Sequence, residues 1–223
     1  MHGRRSLIKQ MSGRTVLTYH GITLSEADIE ILRENYWLND QIIAFYFQYL
    51  ESHTYRRFAR EFLFVSPQVT QLLKMIERRD EEAKCLLDPL HPHTKQFLFF
   101  PVNDNEHERA GGTHWNLLVY SRPENTFFSF DSNRNYNEFA TSKIVDVLRV
   151  TLNCPTASFI YCPSAQQRNM YDCGIYVICN VENIIKHIIS DGTLRHVSQL
   201  SYECIVEKRS EILRMIEALG GTI

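Results

Sequence analysis

The chain has 223 residues, 44% hydrophobic and 12% aromatic, which is ample material for a buried core and excludes a disordered chain. Its 24 basic and 26 acidic residues leave a net charge of −2, which argues against nucleic acid as the main partner, since that needs clustered basic surface. No apolar run approaches the roughly 18 residues of a membrane span.

Met1 to Arg14 carries Arg4, Arg5, Lys9 and Arg14 and no acid, and reads as a flexible extension (1–14) ahead of a single domain (15–223). Val16 to Tyr19 reads as a short edge strand, and Ser25-Glu26-Ala27-Asp28 as the start of a helix of a turn or two. Trp37-Leu38-Asn39-Asp40 leads into a helix over Gln41 to Glu51, with Asn39 or Asp40 as its cap. Phe62 to Val65 is a buried strand or a helix lead-in. Ser66-Pro67, a cap followed by proline at the first position, opens a helix over Gln68 to Glu77. A short helix over Asp80 to Leu87 closes at Asp88-Pro89.

Strand patterns follow. Phe97 to Val102 is a buried strand, and Asn103 to Gly112 is a polar loop. His114 to Tyr120 and Thr126 to Phe130 form strands about the turn Arg122-Pro123-Glu124-Asn125. Glu138 to Leu152 is an amphipathic helix and Ser158 to Tyr161 a strand. Cys173 to Ile189 and Glu203 to Leu219 are helices, the second ended by Gly220-Gly221. Helices, then strands, then helices predict an α+β fold with a central, largely antiparallel sheet flanked by helices.

The chemistry gathers at Gln166-Gln167-Arg168-Asn169-Met170-Tyr171-Asp172-Cys173-Gly174. A cysteine at the start of an apolar helix meets unpaired N–H groups and the positive end of the helix dipole, which favour a thiolate. Gly174 removes a side chain beside the sulfur, so that a substrate carbonyl can approach. A glutamine amide ahead of the cysteine can donate to a developing oxyanion. The bland alternative is a turn and a core helix that happens to hold a cysteine. A thiol nucleophile also needs a base and a group to orient that base. His114 starts a strand after Gly111-Gly112, and Asp131 ends the next strand. If the two strands pair as a hairpin, both residues lie at the same sheet edge. The order is then His114, Asp131, Cys173.

The other cysteines, Cys85, Cys154, Cys162, Cys179 and Cys204, show no Cys-x-x-Cys spacing, which fits a reducing compartment, cytoplasm or nucleus. Among the nine histidines, His91 and His93 flank Pro92 without ligand spacing. Neither a metal nor another cofactor is expected, and a monomer is the default.

Trp37-Leu38-Asn39-Asp40, Gly111-Gly112-Thr113-His114-Trp115, Phe130-Asp131-Ser132 and Gln166 to Gly174 together resemble the ubiquitin-like-protein-specific cysteine proteases of the sentrin-specific type. The resemblance spans about Val16 to Leu219. Within the family, Val102 to Asn105 and Ala110 to Trp115 are most similar to the deneddylases. Two departures are the extension at 1–14 and Arg168, where relatives often carry a neutral residue. The resemblance implies cleavage after the terminal Gly-Gly of a ubiquitin-like modifier, most closely the neddylation modifier, for precursor maturation and isopeptide deconjugation. Cys173 would be the nucleophile, His114 the base, Asp131 its orienting acid, and Gln167 an oxyanion donor beside the Cys173 N–H. Trp37, Trp115, Gly111, Gly112, Asp40 and Gln166 are the candidate substrate contacts. For the two tryptophans the alternative is core packing, and for Asp40 it is helix capping. In the deneddylases, an alanine of the modifier tail fits where ubiquitin has an arginine. Rival readings are desumoylation or deubiquitination on the same fold, acyl transfer, and an inactive modifier-binding module.

Overall fold

The computed structural model describes residues 13–76, 81–107 and 111–223. All but the last two residues of the expected extension lie outside the described residues. The described chain opens with a hairpin of β1 (Thr15–Tyr19) and β2 (Ile22–Ser25), turned at His20-Gly21. Ser25 then starts α1 (Glu26–Arg33), its N–H donating to Asp28 Oδ2 at 2.7 Å. The other oxygen of Asp28 accepts from Asn39 Nδ2 at 2.6 Å, which ties α1 to the next helix. Asn39 is the cap of α2 (Asp40–Tyr49), accepting from the Ile42 N–H at 3.0 Å. The helix expected to reach Glu51 instead loosens into a π turn at Leu50–Thr54.

β3 (Phe62–Phe64) is followed by α3 (Pro67–Met75), capped by Ser66, and by α4 (Glu81–Leu87). Next come β4 (Phe97–Asn103), β5 (Trp115–Ser121), β6 (Thr126–Phe130), α5 (Glu138–Thr151) and β7 (Ser158–Cys162). Two long helices, α6 (Cys173–Asp191) and α7 (Tyr202–Ala218), close the chain.

The central sheet has the order β3-β4-β5-β6-β7. Its middle, β4-β5-β6, is antiparallel as expected, while β3 and β7 run parallel to their neighbours. The sheet is therefore mixed. Helices α3 and α4 separate β3 from β4, and α5 separates β6 from β7. Such a crossover returns the chain to its starting edge and makes the next strand parallel.

Both sheet faces are buried. Phe64, Phe99, Leu117, Val119 and Phe128 pack with α1, α2, α6 and α7, while Leu98, Phe100, Leu118, Tyr120 and Phe127 pack with α3, α4 and α5. Two covered faces explain why the central strands read as continuous apolar runs rather than alternating ones. The register pairs Leu117 with Phe130. Residues just before β5 and just after β6 thus share one sheet edge, where functional side chains can meet.

Candidate active site

His114 lies one residue ahead of β5 and Asp131 one residue beyond β6. Their side chains meet as the hairpin geometry requires, His114 Nε2 to Asp131 Oδ1 at 2.6 Å, each residue only 3% exposed. Asp131 Oδ1 also accepts from the Asn133 N–H at 2.8 Å, and Oδ2 from the Asn137 N–H at 3.0 Å. Burial pushes the Asp131 carboxyl up, but the His114 bond and the two N–H groups outweigh it and hold the pKa below its ordinary value. Burial likewise opposes the His114 cation. Hydrogen bonds to Asp131 and Cys173 outweigh that cost and raise its pKa to about 9. With Nε2 committed to Asp131, Nδ1 is the nitrogen left for the thiol. Tyr136 stands edge-on to the imidazole, with ring centres 5.4 Å apart.

Cys173 is the first residue of α6. The turn before it is shaped by Asn169, whose Oδ1 accepts from the N–H groups of Tyr171 and Asp172, each at 3.0 Å. Asn169 Nδ2 donates to Asp172 Oδ2 at 2.6 Å. From α7, Arg209 donates to Asp172 Oδ1 through Nε at 3.1 Å and Nη2 at 2.9 Å. The same guanidinium reaches the carbonyls of Ile31 and Tyr36, at 2.9 and 2.8 Å. One buried cation thus fixes the cysteine turn against the stretch that leads to Trp37. Gly174 has a packing role that its sequence does not predict. A Cβ there would lie 2.8 Å from Leu38 Cβ, so the glycine makes room for a core leucine.

Two clefts meet at His114. The first, about 520 Å³, runs between Trp37–Asp40, α3, Asn103, Asn105 and Gly111–Trp115, and ends at Cys173. The second, about 540 Å³, is bounded by Asn133, Tyr136 and Gln167–Met170. Trp37, Thr113 and His114 wall both. The Trp37 indole N–H donates to the Met170 carbonyl, and that of Trp115 to the Leu38 carbonyl at 3.1 Å. Trp37 remains 36% exposed, so it is a cleft wall rather than core packing.

Gly111 and Gly112 line the first cleft. Gly112 has φ +88°, and a Cβ there would collide with Asn103 Oδ1. Asp40 lines it too, accepting from Gln68 Nε2 at 3.0 Å, while capping falls to Asn39. Gln167 sits on the wall of the second cleft. Its Oε1 accepts from Ser132 Oγ and its Nε2 donates to the Asn169 carbonyl, both at 2.8 Å, leaving one amide hydrogen for another acceptor. Gln166 departs from expectation because it lines neither cleft. Its Nε2 donates to the carbonyls of Asp131 and Ser164, at 3.1 and 2.9 Å, and its Oε1 accepts from the Arg134 N–H at 2.8 Å. It holds the loop after Asp131 in place. Arg168 lies with its guanidinium 4.0 Å from the Tyr202 ring centre.

Several supporting residues were not singled out from the sequence. Asp104 accepts from the Thr113 and His114 N–H groups, at 2.6 and 3.0 Å, and so fixes the backbone that carries the histidine. Asn137, 2% exposed, donates through Nδ2 to the Val102 carbonyl at 3.1 Å and to Asn116 Oδ1 at 3.0 Å behind the His114–Asp131 pair. Asn169 lay within the cysteine motif. Arg209 left a trace as a charge that falls, with Lys208, on the buried side of α7. Asp104 left none.

Residues 36–216 match the model of the Ulp1 protease family, C-terminal catalytic domain. The chain is 34% identical over 207 residues to human sentrin-specific protease 8, covering 92% of this chain and 97% of that protein. It is 28% identical over 216 residues to NEDD8-specific protease 1 of Arabidopsis thaliana, covering 92% and 93%. Among solved structures, the C-terminal Ulp1 protease domain in complex with SMT3, the yeast ortholog of SUMO, superposes with a TM-score of 0.70. That likeness covers 97% of this chain and 92% of the other at 20% identity, and speaks for the fold.

Proposed function

The chain belongs to the Ulp1 protease family, and on that premise we propose that it cleaves after the terminal Gly-Gly of a ubiquitin-like modifier, NEDD8, in precursors and in isopeptide conjugates. The observation that carries this reading is the buried His114–Asp131 pair at the junction of two clefts, which leaves the second imidazole nitrogen for Cys173 on the wall of the first. The modifier tail lies in the first cleft between Trp37 and Trp115. The leaving group occupies the second.

Cys173 attacks the glycine carbonyl, and the imidazolium beside it stabilises negative charge on the sulfur before attack. The carbonyl oxygen becomes an oxyanion held by the Cys173 N–H and by the remaining Gln167 amide hydrogen. His114 gives its proton to the departing amine, then takes one from the water that hydrolyses the thioester. Asp131 keeps the ring oriented throughout. The enzyme acts as a monomer in the cytoplasm or nucleus.

NEDD8 as the modifier is supported by the likeness to NEDD8-specific protease 1 and by the sequence about the first cleft, Val102 to Asn105 and Gly111 to Trp115, which resembles the deneddylases. A panel of C-terminal electrophile probes made from NEDD8, SUMO and ubiquitin tests both parts. The NEDD8 probe should label Cys173 fastest, and Cys173→Ala should abolish labelling while retaining NEDD8 binding. Preference for SUMO or ubiquitin would reject the modifier and leave the chemistry intact. Failure of every probe would reject the peptidase.

A further inference from the structure

Beyond the catalytic thiol, two cysteines stand together on the helices that frame the site. Cys179 is on α6, the helix that begins with Cys173, and is 1% exposed. Cys204 is in the first turn of α7 and is half-buried, with its N–H donating to Ser201 Oγ at 3.4 Å. The Cys179 thiol points at the Cys204 carbonyl at 3.8 Å, which sets the two cysteine side chains side by side where α6 meets α7. Both are free thiols in this structure. We propose that Cys179 and Cys204 form an oxidisable dithiol, which hydroperoxides convert into an intrachain disulfide joining α6 to α7.

The roles of the two sulfurs are unequal. The adjacent Cys179 side chain, helped by the Lys208 ammonium, outweighs burial and lowers the Cys204 pKa to about 7, which favours its thiolate. The adjacent Cys204 side chain, with burial, holds the Cys179 thiol well above its ordinary value. A low-pKa, solvent-reachable thiol beside a second, protonated one is the pairing of an attacking and a resolving cysteine. Elsewhere burial pushes Cys162 up to about 12 and raises Cys154, which leaves both poor nucleophiles.

In the reaction, the Cys204 thiolate attacks one oxygen of hydrogen peroxide, forming a sulfenic acid and releasing hydroxide, which takes up a proton to give water. Cys179 then attacks the Cys204 sulfur and expels the sulfenic oxygen as a second water. Two thiols lose two electrons and two protons, and one peroxide becomes two waters. The link would lock α7, which carries Arg209, onto the helix that carries the nucleophile. Since Arg209 holds Asp172, the disulfide stiffens the seating of the cysteine turn.

The test uses the chain with Cys173→Ala, which keeps the other five cysteines. Hydrogen peroxide should lower its intact mass by ~2 Da, and peptide mapping should find Cys179 joined to Cys204. The melting temperature should rise by on the order of 5 °C and return on reduction with dithiothreitol. Adding Cys204→Ser, or separately Cys179→Ala, should remove both the link and the shift. Cys204 accumulating as a sulfinic acid with no link to Cys179 would overturn the proposal. So would a mass loss and melting shift that persist in Cys204→Ser. Because the nucleophile is absent throughout, the outcome does not depend on the peptidase assignment.

Discussion

Asp131 accepts hydrogen bonds from His114, Asn133 and Asn137, and its charge supplies much of what raises the His114 pKa to about 9. The folded pKa of His114 lies above the ordinary histidine value, so the pair stabilises the fold fully below about pH 6.5 and loses that contribution as pH rises through about 9. The same protonation limits catalysis, because the imidazolium must hand a proton to the leaving amine. The alkaline limb of kcat/KM should therefore fall near pH 9. Asp131→Asn keeps the size and removes the charge. Turnover should drop by about two to four orders of magnitude with binding nearly unchanged, and the alkaline limb should move to lower pH. A pH–rate profile on a fluorogenic modifier substrate reads both effects, and near-full turnover would assign the orienting acid elsewhere. The neighbouring glutamines provide a second contrast. Gln167→Ala should cost roughly a hundredfold in turnover, the usual loss for one oxyanion donor. Gln166→Ala should cost less, since its amide is spent on the carbonyls of Asp131 and Ser164 and on the Arg134 N–H. The reverse ranking would move the oxyanion role one residue along the turn.

Elements whose ends are marked by local chemistry could be read from the sequence. Ser66-Pro67 started α3 where expected, and Asn39 started α2. The hairpin of β5 and β6 carried the inference that brought His114 and Asp131 to one edge. What could not be read depends on contacts between distant segments. The parallel edges follow from where the helical crossovers return, which no local pattern in the three-residue β3 records. Asp104, Arg209 and Gln166 act through backbone groups far from them in sequence. Gly174 illustrates the same limit, since part of its need for hydrogen comes from Leu38 across the core. Gly174→Ala sets a Cβ 2.8 Å from Leu38 Cβ, and overpacking of this kind costs about 1–3 kcal/mol. Leu38 also supplies the carbonyl that holds the Trp115 indole, so the strain passes into the wall of the first cleft. Thermal melts should show a loss of several degrees, and kinetics a rise in KM larger than the fall in kcat. An unchanged melting temperature would mean that the leucine yields freely.

At the scale of the whole molecule, modifier choice needs more surface than the walled end of the first cleft provides. A short glycine-ended tail makes few contacts there, so discrimination must extend to the folded body of the modifier. The outer part of the cleft suits this role. Leu72 on α3 is 51% exposed on the cleft wall, and Gln71 beside it donates to the carbonyls of Asn105 and His107, at 3.0 and 3.3 Å. These bonds join α3 and the described part of the 103–112 loop into one wall, whose base is closed by Asp104 on Thr113. Deleting Glu106 and His107, with Asn103–Asn105 and Gly111–His114 retained, keeps the base and removes the described outer surface. KM for the whole modifier should rise by about tenfold, equivalent to ~1.4 kcal/mol, while KM for a tail peptide on the same fluorophore stays level. Leu72→Glu should reproduce the pattern without altering the loop. Loss on both substrates alike would show that the loop supports His114 rather than the modifier, since a damaged catalytic set cannot distinguish a long substrate from a short one.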